Sequence, residues 1–375
     1  MERADDPHAL RDAIEAEAHR LGFALVGVAR AAPTSHREAL ERWIADGKHG
    51  EMAWIAERAA DACDVRRLLR NARSVICVGD RYHDGRPDRV DARADGGDAA
   101  APRGRIARYA RGKDYHDLVR DRLRKLGRFI RERVPECQTR LTGDIHPILE
   151  REQAARALLG AIGKHTLLIR PRLGSYYLLG EIVTDADIAP SDAPPPPVDI
   201  CGSCTRCIDA CPTGAITPWS VDATRCTAYL TIEHRGAIPD EFFGTTGDWW
   251  FGCDICQEVC PHAQPTRASR RAGVHPIHAP RRDGIDLLEV LGWSDADRAR
   301  LVVSSALKRA SLAMMRRNAL LALASFARTG VTARGLVRER AERIACDDKE
   351  DDIVRAAARA TLAAIDRMDA TPRVG

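Results

Sequence analysis

The sequence predicts an α+β protein built from three successive parts, and three observations carry that prediction. Helical and strand-like patterns alternate over roughly the first 190 residues, the signature of an α/β domain. Eight of the twelve cysteines then fall between Cys201 and Cys260, directly after a proline run. Beyond about residue 265, Ala and Leu recur at helical spacing.

"HALRDAIEAEAHRLGFALVGVARAA" reads as an amphipathic helix followed by a short β-run, "FALVGVA". "ARSVICVGD", residues 72–80, is a second strand candidate, and "YYLLGEIVT", residues 176–184, is another. Residues 113–134 have helical spacing, with Leu118, Leu123, Leu126 and Ile130 on or near one face. A Gly/Asp/Ala-rich stretch near 91–102 is expected as an exposed loop. "SDAPPPPVD", 191–199, is a stiff linker and marks a boundary. In the last part, 317–327 and 351–368 are helices, and the pattern of the second is HEAT-like. The expected divisions are 1–192, 193–265 and 266–375.

Hydrophobic residues make up 45% and charged residues 30%, as in ordinary globular chains. The opening "MERADDPHAL" lacks the apolar core of a secretory signal. No stretch approaches the ~18 uninterrupted apolar residues of a membrane span. The expectation is a cytoplasmic protein with no membrane association. Net charge is only +4, but residues 101–133 hold twelve Lys+Arg against four Asp+Glu, and 301–375 hold fourteen against nine. Such blocks suit either a polyanion or a solvated helical face.

Cys201, Cys204, Cys207 and Cys211, followed by Pro212, reproduce the ferredoxin run C-x2-C-x2-C-x3-C-P. In two-cluster ferredoxins the fourth cysteine of that run serves the other cluster. The second half, Cys253, Cys256, Cys260 and Pro261, lacks its leading cysteine, whose place is taken by Trp250. Cys226 is the one cysteine nearby that fills the vacancy. One 4Fe–4S cluster then takes Cys201, Cys204, Cys207 and Cys260, the other Cys211, Cys226, Cys253 and Cys256. Zinc would favour separated C-x2-C pairs, which this spacing fits poorly. A ferredoxin needs only about 60 residues, so the flanking parts must hold the destination of the electrons.

Taken with "HGEMAWIAER", "ARYARGKDYHDLVRDRLRKLG", "DIHPILEREQAARALLGAIGKHTLL", "GSYYLLGEIVTD", "RCTAYLTIEHRGAIP" and "SALKRASLAMMRRNALLAL", the chain resembles the cobalamin-dependent tRNA epoxyqueuosine reductases. The resemblance implies a cobalamin-binding α/β domain like that of reductive dehalogenases, a two-cluster ferredoxin domain and a helical repeat. It implies reduction of epoxyqueuosine to queuosine at the tRNA wobble position, with electrons passing from an external low-potential donor through both clusters. A small oxidised or halogenated substrate is the alternative. A monomer is expected.

By the same resemblance Asp144 stands where the family's proton donor stands. An acid working near neutral pH wants a raised pKa, which burial beside a corrin would give; a lone Asp there also suits a helix cap. His165, Leu168, Leu179, Ala228 and Asp254 match cofactor-side positions, although the two leucines read equally well as core. Tyr109, Arg111 and Tyr115 suit contact or packing, and His146 is a local loop residue. His234, Arg235, Lys308, Arg309, Arg316 and Arg317 form a basic set suited to tRNA. The sequence departs from the family at Ala62, where an arginine is usual, and at His262-Ala263, where Trp-Asn is usual.

Overall fold

The computed structural model describes residues 6–83, 102–144, 146–192, 199–267 and 273–370, together with Pro195, Pro197 and Arg271. The expected loop near 91–102 lies outside these residues apart from Pro102, as do residues 193, 194, 196 and 198 of the proline run. In chain order the elements that position the site are α1 (Pro7–Arg20), β1 (Leu25–Arg30), β2 (Ser74–Arg81), β3 (Arg103–Ile106), α2 (Tyr115–Arg133), β4 (Thr139–Thr142), α3 (Glu150–Arg156) and β5 (Tyr177–Thr184). There follow α4 (Thr227–Ile232), β6 (Trp249–Phe251), β7 (Ile285–Asp286), α5 (Leu312–Phe326), α6 (Val331–Ala345) and α7 (Asp352–Ala370). No helix of the described residues is long and apolar enough to cross a membrane.

The N-terminal half is built on a four-stranded sheet of order β1-β2-β5-β4. Every pairing in it is antiparallel. Alternation of helix and strand suggested an α/β part without fixing strand polarity, and the structure supplies it. The connections are long enough to reverse direction, and alternation alone does not fix polarity. Every residue of β2 is buried, as a central strand covered on both faces requires. One face packs Val28, Ile76, Val78 and Ile182 under α1 and α2, through Leu10, Ile14, Leu123, Leu126 and Ile130. On α2 the next inward residue is Val119 rather than Leu118. The other face packs Val75, Cys77 and Val183 against Ala154 of α3 and the turn beyond it.

A second sheet ties the sequence segments together. β3 pairs in parallel with β6 and antiparallel with β7. Gly104 sits at this crossing because a Cβ there would come within 2.5 Å of Leu287 and 2.7 Å of Trp250. Trp250, standing where a ferredoxin repeat would place a cysteine, is fully buried and donates its indole N–H to the carbonyl of Met315 on α5 at 2.9 Å. The Ala/Leu run of α5 is buried from Asn318 to Ala324, and α6 and α7 pack around it in one core with Phe242, Phe243 and Leu287.

Candidate functional site

The eight clustered cysteines separate in space into two quartets. Cys201, Cys204, Cys207 and Cys260 line one cavity of about 180 Å³ with His165, Ile169 and His262. Cys211, Cys226, Cys253 and Cys256 stand instead on the wall of a much larger cavity, about 1420 Å³. The cysteines expected to share a cluster thus line a common cavity, Cys226 with Cys211, Cys253 and Cys256. Backbone N–H groups already point at the sulfurs: Lys164 at Cys201 Sγ (3.4 Å) and Ala215 at Cys211 Sγ (3.3 Å). Burial drives the thiol pKa values of Cys253 and Cys256 well up. The remaining four cysteines lie apart, with Cys63, Cys77 and Cys137 buried and Cys346 exposed.

The large cavity exceeds the ~300–1,000 Å³ usual for small-molecule sites. Its wall includes Tyr109, Leu149, Glu150, Ile162, His165, Thr227, Ala228 and Asp254. Several polar atoms on it are buried without a hydrogen-bond partner among the described residues: Glu150 Oε1, His165 Nε2 and Thr227 Oγ1. His165 accepts the Leu167 N–H at Nδ1 (3.2 Å), which leaves the proton on Nε2. Burial lowers its pKa to about 4, so the ring is neutral. A large wall with unsatisfied donors and acceptors fits a bulky cofactor fringed with amide groups, as a corrinoid is.

Asp254 is 2% exposed and accepts the Arg108 N–H at 2.8 Å and its guanidinium at 3.3 Å. Burial raises its pKa, and Arg108 opposes the rise. The expected cofactor neighbours therefore divide. His165, Ala228 and Asp254 line the cavity, whereas Leu168 and Leu179 do not. Both leucines belong to the apolar cluster on the α3 face of the first sheet; apolar residue type does not separate a cofactor wall from a core. Ala62 does not line the cavity either.

Asp144 follows β4 and is not on the cavity wall. Its side chain is 59% exposed. It accepts hydrogen bonds from His116 Nε2 (3.0 Å) and the Tyr115 hydroxyl (3.1 Å). The His116 contact, more than any other influence, holds the Asp144 pKa below the ordinary carboxylate value, so the expected upward shift is corrected for this loop position. His116 in turn is raised, chiefly by Asp144 and then by Asp114, which accepts from its Nδ1 at 2.5 Å. Lys308 completes the chain with its Nζ 2.6 Å from Asp114 Oδ2. Sequence reading missed His116: nothing in "KDYHDL" announces a carboxylate 28 residues away. His146 is a local loop residue, its Nδ1 near the Gly143 carbonyl at 3.2 Å. Arg111 donates Nε to the Ile106 carbonyl at 2.7 Å, a packing role.

The basic set does not share one fate. Arg317 is fully buried and donates to the carbonyls of Leu230 (2.7 Å), His234 (2.9 Å) and Gly236 (2.6 Å). It holds α4 and the following turn to α5, which corrects its assignment to a phosphate. Arg316 is paired with Glu350 at 2.5 Å and only 21% exposed. Arg235 and Arg309 remain 48% exposed at the side chain, and Lys308 60%. Arg309 is paired with Glu233 at 2.6 Å. His234 lies 3.0 Å from Glu51 and is 17% exposed.

Known proteins are similar to this chain in sequence and in fold. A family model described as 4Fe-4S double cluster binding domain matches residues 200–263. Another, described as epoxyqueuosine reductase QueG, DUF1730, matches residues 63–144. An epoxyqueuosine reductase of Synechococcus sp. (strain CC9605) is 40% identical over 324 residues, covering 84% of this chain and 95% of the relative. One of Salmonella typhimurium (strain LT2) is 37% identical, covering 81% of this chain and 77% of the relative. The crystal structure of an epoxyqueuosine reductase with an epoxyqueuosine-modified tRNA-Tyr stem loop superposes with a TM-score of 0.80 at 27% identity, over 96% of this chain and 91% of that one. A Bacillus subtilis epoxyqueuosine reductase with its catalytic aspartate loop swung out of the active site gives 0.77 at 27% identity, with the same coverage. Identity of this order across nearly the whole length, on one common fold, places the chain in the epoxyqueuosine reductase family.

Proposed function

We propose that this chain reduces epoxyqueuosine to queuosine at the wobble position of tRNA, with electrons that pass through two 4Fe–4S clusters to cobalamin held in the large cavity. The observation that carries the reading is the position of the second thiol quartet. Cys211, Cys226, Cys253 and Cys256 form part of the cavity wall, so a cluster on them abuts whatever fills it. Cys201, Cys204, Cys207 and Cys260 ligate the other cluster, on the side where a donor delivers electrons. Cobalamin, when bound, supplies a reducing cobalt that no side chain can match. Neutral His165, Ala228, Thr227 and Asp254 hold it.

Loss of the epoxide oxygen as water consumes two electrons and two protons. Asp144 gives a proton to the departing oxygen. In the position described here it is charged and tied to His116, so it serves once its loop turns the carboxyl into the cavity and out of water, where its pKa rises. The B. subtilis relative with its catalytic aspartate loop swung out supports such a swing. The imidazolium of His116, a donor at both nitrogens, holds a proton against Asp144 in the outer position.

The tRNA anticodon arm binds by shape, phosphates and splayed bases, with the modified nucleoside turned into the site. Lys308, Arg309, Arg235 and His234 lie on the side it approaches. Residues 1–192 form a cobalamin-holding part of reductive-dehalogenase type, 193–265 the ferredoxin part, and 266–375 a HEAT-like helical part. The enzyme works in the cytoplasm as a monomer, fed by an external low-potential donor.

Protein purified without oxygen carries about eight irons and about one cobalamin per chain. A strain lacking the gene accumulates epoxyqueuosine in its tRNA, and ordinary queuosine there removes the reading.

A further inference from the structure

Lys164 belongs to the N-terminal half, yet its contacts are with the loop that carries the first two thiols of the outer quartet. Its backbone N–H is 3.4 Å from Cys201 Sγ. Its ammonium donates to the carbonyls of Gly202 at 2.6 Å and Cys204 at 3.1 Å. The residue is 8% exposed, and its Nζ lies 5.7 Å from the centre of the Trp219 ring. Trp219 also donates its backbone N–H to the Lys164 carbonyl at 3.0 Å, which closes the contact from the other side. Among the described residues no carboxylate lies within 4.0 Å of that Nζ, although Asp199 accepts the N–H groups of Cys201 and Gly202 nearby. A buried cation satisfied only by carbonyls is costly unless something anionic answers it.

We infer that Lys164 sets the reduction potential of the cluster on Cys201, Cys204, Cys207 and Cys260, holding it above the value the ferredoxin segment would give by itself. The inference rests on the ligand assignment proposed above. Four thiolates make the cluster an anion, and one-electron reduction adds a further negative charge. A fixed positive charge and an N–H donor at sulfur stabilise the reduced form more than the oxidised one, and charge and hydrogen bonds at sulfur are the protein's means of tuning such centres. Beside the inner quartet the buried Asp254 carboxylate is met by the Arg108 guanidinium at 3.3 Å, so the two charges there offset each other. The outer cluster is thus the easier of the two to reduce, which suits a centre that receives electrons from a separate donor and holds them for the harder onward step.

The test is an EPR-monitored redox titration of the anaerobic holoprotein. Lys164→Gln keeps a donor for the two carbonyls and removes the charge; Lys164→Arg keeps the charge. In Lys164→Gln the outer cluster's midpoint moves negative, so that at the wild-type midpoint its reduced-to-oxidised ratio falls about tenfold, a shift of about 59 mV for one electron. The inner cluster moves less, and Lys164→Arg restores most of the shift. Equal midpoints in Lys164→Gln and wild type, with full iron content, overturn the inference. Should Lys164→Gln lose the outer cluster, the comparison passes to Lys164→Arg and Lys164→Met, and a Lys164→Met midpoint equal to that of Lys164→Arg overturns it as well. A wild-type protein with no pair of cluster signals defeats the ligand assignment instead, a separate result.

Discussion

His116 Nε2 lies 3.0 Å from Asp144 Oδ2, while its other nitrogen faces Asp114 at 2.5 Å, so one imidazole joins an exposed loop carboxylate to a buried one. Both ring nitrogens donate, which makes the ring an imidazolium. The loop that carries Asp144 is therefore tethered by a charge that pH can remove.

That tether has a defined pH window. The His116 pKa is raised in the folded chain, so its contribution is complete below the ~6.5 of an unfolded histidine and is lost as pH climbs through the higher folded value. The Asp144 pKa is lowered, so its contribution is present above the unfolded ~3.9 and is lost as pH falls through the folded value. The pair is complete between those two limits. An NMR titration should find the His116 midpoint above ~6.5, and Asp144→Asn should bring it down only part of the way, because Asp114 remains. A midpoint untouched by Asp144→Asn would dissolve the pairing.

Asp144→Asn should also keep iron and cobalamin while turnover falls about 10²–10⁴-fold, the usual contribution of a positioned acid. Single-turnover assay of the loaded protein decides this. Wild-type turnover in the variant would strip Asp144 of its role.

Arg317 and Arg235 should separate cleanly. Arg317→Met leaves three carbonyls unanswered in a sealed interior, at about 1–3 kcal/mol for the first of them alone, so thermal unfolding should shift by several degrees. Arg235→Gln should leave melting near wild type and lower the salt dependence of tRNA binding by about one in the log–log slope. If Arg317→Met melts like wild type, its structural role is wrong.

Cys226→Ser tests the recruited ligand. Iron content should fall by about half, with the EPR signal of the outer cluster retained. Loss of both signals, or of neither, would count against the crossed assignment.

Glu181 offers a stability measurement in the same region. It is fully buried on β5, accepts the Thr142 hydroxyl at 3.2 Å and has its pKa pushed up to about 8 by burial. A carboxyl raised on folding favours the protonated folded state, so stability declines as pH rises from the unfolded ~4.3 through about 8. Glu181→Gln should flatten that decline and melt higher than wild type at alkaline pH. Parallel stability curves for the two proteins would refute it.

Legibility in the sequence followed the distance over which each feature is encoded. That the cysteines fall on two cavities was readable because the run carries them at short fixed spacings, and the vacancy at Trp250 had a single nearby candidate in Cys226. Helix α2 was placed within two residues at its start and one at its end, since a long apolar stripe fixes it. Strand polarity was not readable, because the pairing of β2 with β5 joins residues about a hundred positions apart. Nor was the fate of individual side chains. Leu168 and Leu179 have the composition of a cofactor wall and the location of a core, and Arg317 carries the charge of an RNA contact into an interior that consumes it. His116 escaped notice for the same reason, its meaning residing in a loop it meets only after folding.

The sheet that joins β3, β6 and β7 has a consequence for biogenesis. A ribosome that has just finished the N-terminal half has made Arg103–Ile106 but neither of its mates, the nearer of which begins at Trp249 and the farther at Ile285. The nascent chain must carry an unmated edge until most of its length is synthesised, and contacts of such sequence separation form slowly. Iron–sulfur loading and final closure thus belong to the last stage of production.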